Sequence, residues 1–408
     1  MTAAHVAVTG LGLVTPAGIG VDASWQTILS GKSAASKDPN LEGVPVDISC
    51  TVPGFDPVEL LGRKAARRLD RFVQLALVAT QEAIADSGLD PETWDAAKVG
   101  VVVGCGMGGA ATWEAQHTRM MEAGPNRVSA MLIPMLVPNM VAGQIAMEIG
   151  ARGPNLVTAT ACASGTTAMG VARDLLRSGT CDVVITGGTE AGVTPLSIAG
   201  FAQMGALSGR VDDPAHASRP FDVDRDGFVA AEASGIVVLE RAEHAAARGA
   251  HVRANLAGYG ASADAYHITA PDPEGRGAEL AMSAAITDAG LTPADIDHVN
   301  AHGTSTPLND KSEAATLQRL LTREFSVTAT KGVTGHSLGA AGAIEAAFSV
   351  LTLEHGTVPP TANLQQQDPE ITIDVVHGEP RGQHPSAVMS NSFGFGGQNA
   401  VLVFTEAE

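Results

Sequence analysis

Ala83-Ile-Ala-Asp-Ser-Gly-Leu-Asp-Pro91 and Ala285-Ile-Thr-Asp-Ala-Gly-Leu-Thr-Pro293 match at six of nine positions and lie about half of the 408-residue chain apart. Each copy ends an Ala-rich helical stretch with glycine at the C-cap and leads toward a strand. Chance likeness between Ala-rich helix ends is the bland alternative. Duplication is the preferred reading: two similar halves packed on one continuous core, with a site at their junction. Outward from these copies, short β-branched runs alternate with helical patterns. Strands are expected at His5–Thr9, Val99–Val103, Leu156–Thr160, Val183–Thr186, Gly235–Leu239, His298–Ala301, Phe325–Ala329, Ala387–Ser390 and Ala400–Phe404. Helices are expected at Ala66–Ser87, Ser164–Ser178, Ala278–Ala289, Lys311–Leu321 and Ala340–Glu354. Such alternation points to α/β layers.

Composition narrows the function classes. With 45% hydrophobic and 17% charged residues the chain can bury a large core, which excludes disorder. Only 4% of residues are aromatic, while glycine numbers 46, so that core is built from small and aliphatic side chains in close packing. A net charge of −19 argues against nucleic acid and anionic membrane surfaces as partners. The four cysteines have neither metal-ligand spacing nor a disulfide pattern. With no long apolar run and no signal-like start, a soluble, cytoplasmic protein is expected.

Leu156-Val-Thr-Ala-Thr-Ala-Cys-Ala-Ser-Gly-Thr-Thr-Ala-Met-Gly170 reads as a buried strand, a tight turn and a helix. Small neighbours leave the Cys162 sulfur approachable, and the positive end of a helix dipole favours the thiolate. That form is the nucleophile of acyl transfer. A lone buried cysteine is more often inert packing, the reading given to Cys50, Cys105 and Cys181. His302, in Val299-Asn-Ala-His-Gly-Thr-Ser-Thr-Pro307, and His336, in Lys331-Gly-Val-Thr-Gly-His-Ser-Leu-Gly-Ala-Ala-Gly342, both follow strands, where α/β proteins assemble their sites. Glu345 lies in the next helix and can pair with Lys331. Ser390-Asn-Ser-Phe-Gly-Phe-Gly-Gly-Gln-Asn399 offers a sharply turning backbone with free N–H groups, or simply a hairpin with buried rings.

Two further patterns compete. Gly335-His-Ser-Leu-Gly339 fits G-x-S-x-G, making Ser337 the nucleophile of an alternative serine hydrolase, although several loop residues separate it from its strand. Asp222-Val-Asp-Arg-Asp-Gly227 opens like a calcium loop, but its twelfth position is Ala233 and arginines sit among the carboxylates. A salt-bridged structural loop is the expected outcome.

Thr160-Ala-Cys-Ala-Ser-Gly165, Asn300-Ala-His-Gly-Thr-Ser-Thr306, Lys331-Gly-Val-Thr-Gly-His336 and Asn391-Ser-Phe-Gly-Phe-Gly-Gly397, in this order, resemble the β-ketoacyl-acyl-carrier-protein synthases, most closely the elongating type II group. The resemblance runs end to end. It implies a thiolase-like α/β fold, with duplicated halves at 1–250 and 251–408 in a five-layer α/β/α/β/α arrangement. Cys162 would take the acyl chain, and His302 and His336 would stabilise the enolate left by decarboxylation of malonyl. Lys331 and Glu345 would order the site. The N–H groups of Cys162 and Phe395 would form a second oxyanion hole, with Phe395 also gating the acyl pocket alongside a mobile Asp264–Pro273 loop. Met107, Met131, Leu132, Thr304, Thr306 and Phe393 would contact substrate. No cofactor and no metal are implied.

The implied partners are acyl carrier protein and a second protomer, either an identical chain or a chain-length-factor-like subunit. Carrier docking is expected at Arg63, Lys64, Arg67, Arg68 and Arg71, the densest basic cluster, with Arg67, Arg68 and Arg71 on one helical face. Several positions depart from the family pattern: Gly205 replaces a basic residue, Met107 a branched one, Ala231 a glycine, and Met131 and Leu132 the bulky aromatics that reach across the dimer toward the partner's tunnel. Softer side chains favour longer or differently shaped acyl chains. Fatty-acid and type II polyketide elongation both fit. The third alternative, a non-catalytic chain-length partner, is disfavoured because the nucleophile and both histidines are kept.

Overall fold

The computed structural model describes residues 6–407. Its first five main strands are β1 (Val6–Thr15), β2 (Val99–Gly104), β3 (Asn155–Thr158), β4 (Val183–Glu190) and β5 (Ala233–Arg241). They hydrogen-bond in the order β3-β2-β4-β5-β1, parallel from β3 to β4 and antiparallel beyond. The next five are β6 (Ala254–Ala263), β7 (His298–Asn300), β8 (Ser326–Thr328), β9 (Ala387–Gly394) and β10 (Gln398–Thr405). Their order is β8-β7-β9-β10-β6, again parallel and then antiparallel, with Asp374–Val375 added outside β8. Each strand of the first set therefore has a counterpart in the second. The sets join through only two residue pairs of β1 and β6, Ala7 with Asn255 and Val8 with Ala254, so one twelve-stranded sheet is continuous on paper and folded in space.

Six helices matter here: α1 (Pro57–Arg68), α2 (Arg71–Ser87), α3 (Ser164–Arg177), α4 (Arg276–Asp288), α5 (Pro307–Leu320) and α6 (Ala341–His355). Helices α3 and α6 lie between the strand sets and touch both, while α2 covers one outer face and α4 and α5 the other. This gives the expected five layers. Every residue of α6 up to Leu353 is buried, as a central helix requires. The duplicated sequence copies end α2 and α4, at equivalent places. Glycine explains how closely those helices sit: a Cβ on Gly10 or Gly12 would lie about 2 Å from Ala83 or Ala79 carbonyl oxygens. The counterparts Gly258 and Gly260 meet Ala285 and Ala281 in the same way.

Several expectations need correction. His5 of the first strand lies outside the described residues. Strand β6 was not expected, because Asn255-Leu-Ala-Gly-Tyr-Gly-Ala carries glycine and alanine where β-branched residues would mark a strand. The single helix Ala66–Ser87 is two helices: Leu69 is extended and Asp70 caps α2. The strand expected to be buried at Leu156–Thr160 is the edge strand β3, where Asn155 and Leu156 are exposed. Among the described residues no helix is long and apolar enough to cross a membrane.

Candidate active site

Cys162 sits in the short turn Ala161–Ala163 between β3 and α3. Ala161 takes φ 48°, a left-handed backbone uncommon for a residue with a Cβ. The Ser164 hydroxyl holds the turn, accepting from Thr160 N at 2.9 Å and donating to Ala161 O at 2.6 Å. The other half repeats this device before α6: Leu338–Ala340 forms the same kind of turn, with Leu338 at φ 49°.

His302 follows β7, and its N–H and that of Gly303 donate to the buried Glu313 carboxylate at 2.8 and 2.9 Å. Asn391 donates to the same carboxylate from β9 at 3.0 Å. His336 is fixed by its backbone, whose N–H donates to Val229 O at 2.8 Å, and by the edge of its ring on Phe228. Its Nε2 lies 3.0 Å from Cys162 Sγ. The sulfur and one nitrogen from each of the two imidazoles fall within 4.8 Å of one another, and all three side chains are buried. Lys331 Nζ donates to His302 O at 2.6 Å, approaches His302 Nδ1 at 3.4 Å and pairs with Glu345. With the ammonium facing Nδ1, the His302 proton belongs on Nε2, directed into the site.

Burial dominates the electrostatics. It pushes the Cys162 thiol up to about 11, against the pull of Lys331 and of the Phe395 and Cys162 N–H groups facing the sulfur. The thiolate expected from the helix terminus is thus outweighed in the resting protein. Burial, reinforced by Lys331, holds His302 and His336 well below the ordinary histidine range, so both are neutral at pH 7. Glu345 is lifted to about 7 by burial, although Lys331 opposes the shift.

A cavity of about 390 Å³ opens onto the three side chains. Thr304, Thr306, Phe393 and Phe395 line it, with Leu338 beside Cys162 and Met204 and Leu308 toward its mouth. Met107, Met131 and Leu132 do not. Met107 is turned toward Gly192, where a Cβ would lie 2.9 Å from its Sδ and 3.4 Å from Leu338 Cδ1. Met131 and Leu132 begin a short, half-buried helix. The Asp264–Pro273 loop is tied to the glycine-rich turn, with Asp264 N donating to Gly397 O at 2.9 Å and Gly396 N to Ile268 O at 2.8 Å.

The basic cluster divides. Arg63, Lys64, Arg67 and Arg68 are exposed on α1. Arg71 does not share their face: it belongs to α2, pairs with Glu232 through two hydrogen bonds and lies 5.0 Å over Phe55. The single helical face failed because Leu69 and Asp70 break the helix. Ser337 is fully buried, without a partner for its hydroxyl among the described residues and outside the cavity lining, which removes the geometry of a hydrolase. Asp222 is occupied by Arg219 and by three backbone N–H groups, the salt-bridged loop expected. Glu313 and Glu190 escaped the sequence reading. An acid ending the apolar run Val183–Glu190 was the one available signal for the latter.

Residues 3–245 match the family model for the β-ketoacyl synthase N-terminal domain and residues 253–365 that for the C-terminal domain. The chain is 46% identical to a 3-oxoacyl-[acyl-carrier-protein] synthase 2 of Synechocystis, over 98% of this chain and 97% of the relative. Two solved structures are similar over all of both chains at 32% identity. The ishigamide ketosynthase/chain length factor has a TM-score of 0.94. A type II polyketide ketosynthase, in complex with its acyl carrier protein and bound to the hexaketide, has a TM-score of 0.91.

Proposed function

The chain belongs to the β-ketoacyl synthase family, and we propose from that premise that Cys162, His302 and His336 carry out its condensation of acyl and malonyl groups held on acyl carrier protein. The observation that carries this reading is the convergence of one sulfur and two neutral imidazoles at the foot of a single cavity. Cys162 attacks the acyl thioester, forming its own thioester while the bond to the carrier's sulfur breaks. The thiol proton goes to the departing carrier sulfur, while His336 Nε2, 3.0 Å from Cys162 Sγ, keeps its own hydrogen directed into the site. Malonyl then loses carbon dioxide, and the charge developing on its thioester oxygen is met by the His302 and His336 N–H groups. The resulting carbanion attacks the acyl carbonyl, and Cys162 leaves as thiolate and regains a proton from solvent, the one proton the overall reaction consumes. The N–H groups of Cys162 and Phe395 stabilise the tetrahedral oxyanion. Lys331, paired with Glu345, fixes the His302 tautomer.

Thr304, Thr306 and Phe393 flank the thioester arm, and Phe395 gates it. Arg63, Lys64, Arg67 and Arg68 meet the acidic carrier. The halves 1–250 and 251–408 each contribute part of the site. The exposed edge of β3, with Trp113, Met121, Ile133 and Met147 exposed in the same half, supports pairing with a second protomer, identical or chain-length-factor-like. The reading is a cytoplasmic enzyme of fatty-acid or type II polyketide elongation. Intact-protein mass spectrometry with acyl carrier protein tests it. An acyl adduct is expected on the wild type and not on Cys162→Ala, while His302→Ala and His336→Ala acylate but lose malonyl decarboxylation. Condensation retained in both histidine variants overturns the assignment.

A further inference from the structure

Glu190 ends β4 and is fully buried, yet among the described residues no cation pairs with it. Its Oε2 accepts from Gly106 N at 2.8 Å and Gly339 N at 3.2 Å. Its Oε1 accepts from Met107 N at 3.1 Å and faces the Cys105 thiol at 3.5 Å. The three backbone N–H groups are donors only, so the carboxylate form satisfies them best, although burial raises its pKa. Two turns distant in sequence, one after β2 and one after His336, are thereby tied to a single side chain. Both glycines are needed for the approach, since a Cβ would lie 2.9 Å from Oε2 at Gly106 and 2.6 Å at Gly339.

What these turns carry gives the tie its meaning. Leu338, adjacent to Gly339, holds a left-handed backbone at φ 49° and lines the cavity beside Cys162. Met107 Sδ and Leu338 Cδ1 both border the space beside Gly192. His336 lies two residues before Leu338. We infer that Glu190 is a positioning residue: its carboxylate clasps the Met107 and Leu338 turns together, fixing the wall beside Cys162 and so the acyl chains that wall admits. The selectivity part rests on the acyl-transfer reading above; the clasp itself does not.

Glu190→Gln keeps the size but leaves one oxygen where two are used, so an amide NH₂ must face either Met107 N–H or the Gly106 and Gly339 N–H groups. It also removes a negative charge that opposes the Cys162 thiolate. In a variant shown to be folded by circular dichroism, iodoacetamide should alkylate Cys162 roughly threefold or more faster at neutral pH, with the midpoint of its pH profile lowered. The ratio of acylation rates for long and short acyl carriers should move roughly tenfold toward unity as the wall loosens. Alkylation and selectivity both matching wild type overturn the clasp. Altered alkylation without any acylation of the wild type overturns the acyl-transfer reading instead. Should the variant not fold, amide exchange on the wild type decides: Gly106, Met107 and Gly339 should open together, and separate opening rates overturn the inference.

Discussion

Replacing Lys331 by methionine keeps the buried volume and deletes the ammonium that faces Glu345 and His302. Glu345 sits at about 7 rather than 4.5 even with that ammonium in contact. At roughly 1.4 kcal/mol per unit, holding it ionised above pH 7 already costs the fold about 3 kcal/mol. Its Oε2 has no hydrogen-bond partner among the described residues, so in Lys331→Met both carboxylate oxygens are bare. Removing one partner of a buried pair costs about 3–5 kcal/mol while the other stays charged. Glu345 escapes that cost by binding a proton, and its folded value therefore rises further. The sign follows from linkage. A carboxyl whose folded value exceeds its unfolded one stabilises fully at low pH, and the benefit is lost as pH rises through the folded value. Thermal melts should thus show wild type and variant close together near about pH 6 and separated by several degrees near about pH 9. Lys331→Met/Glu345→Gln should recover much of the loss at the higher pH. An equal deficit at both pH values, or a double variant no better than the single, refutes the pairing as the cause.

Three further outcomes are expected. Alkylation of Cys162 by iodoacetamide in the free protein should climb roughly tenfold per pH unit through pH 9 toward a midpoint about 11; a plateau by about pH 8 would mean that the thiolate is already formed at rest. Arg71→Ala should lower the melting temperature markedly, since Glu232 is 3% exposed and would keep a buried charge. Arg67→Ala and Arg68→Ala should leave the melt unchanged and raise the KM for acyl carrier protein; the reverse pattern would return docking to Arg71.

The main architecture was legible because its signals are local. Runs such as Val99–Gly104 and Val183–Glu190 are buried on both faces and rich in β-branched residues, so they read as strands. The repeated helix ends announced two halves before any strand pairing was known. Where side chains shrink, that signal fades: β6 is held by its neighbours in the sheet and by α4 resting on its glycines, which no local propensity reveals. The cysteine and both histidines stood out by their glycine- and serine-rich turns. Their protonation did not, because burial depends on what other segments place above them. Glu313 and Glu190 were hard to see for a related reason: each is defined by backbone N–H groups that tertiary folding brings to it, from the His302 turn for one and from two distant turns for the other. Arg71 misled because helical spacing was assumed across Leu69 and Asp70.

The two left-handed elbows, at Ala161 and Leu338, make Gly339 the twin of Cys162. One elbow presents sulfur; at the other, the place of a side chain is already taken by a carboxylate oxygen. Two identical half-length chains pressed together could only offer the same residue twice. One continuous polypeptide need not make its two elbows match, so one carries the reactive group while the other braces the wall beside it. Moving the thiol to residue 339 would therefore not recreate the site in the second half, because a carboxylate oxygen occupies the room it would need.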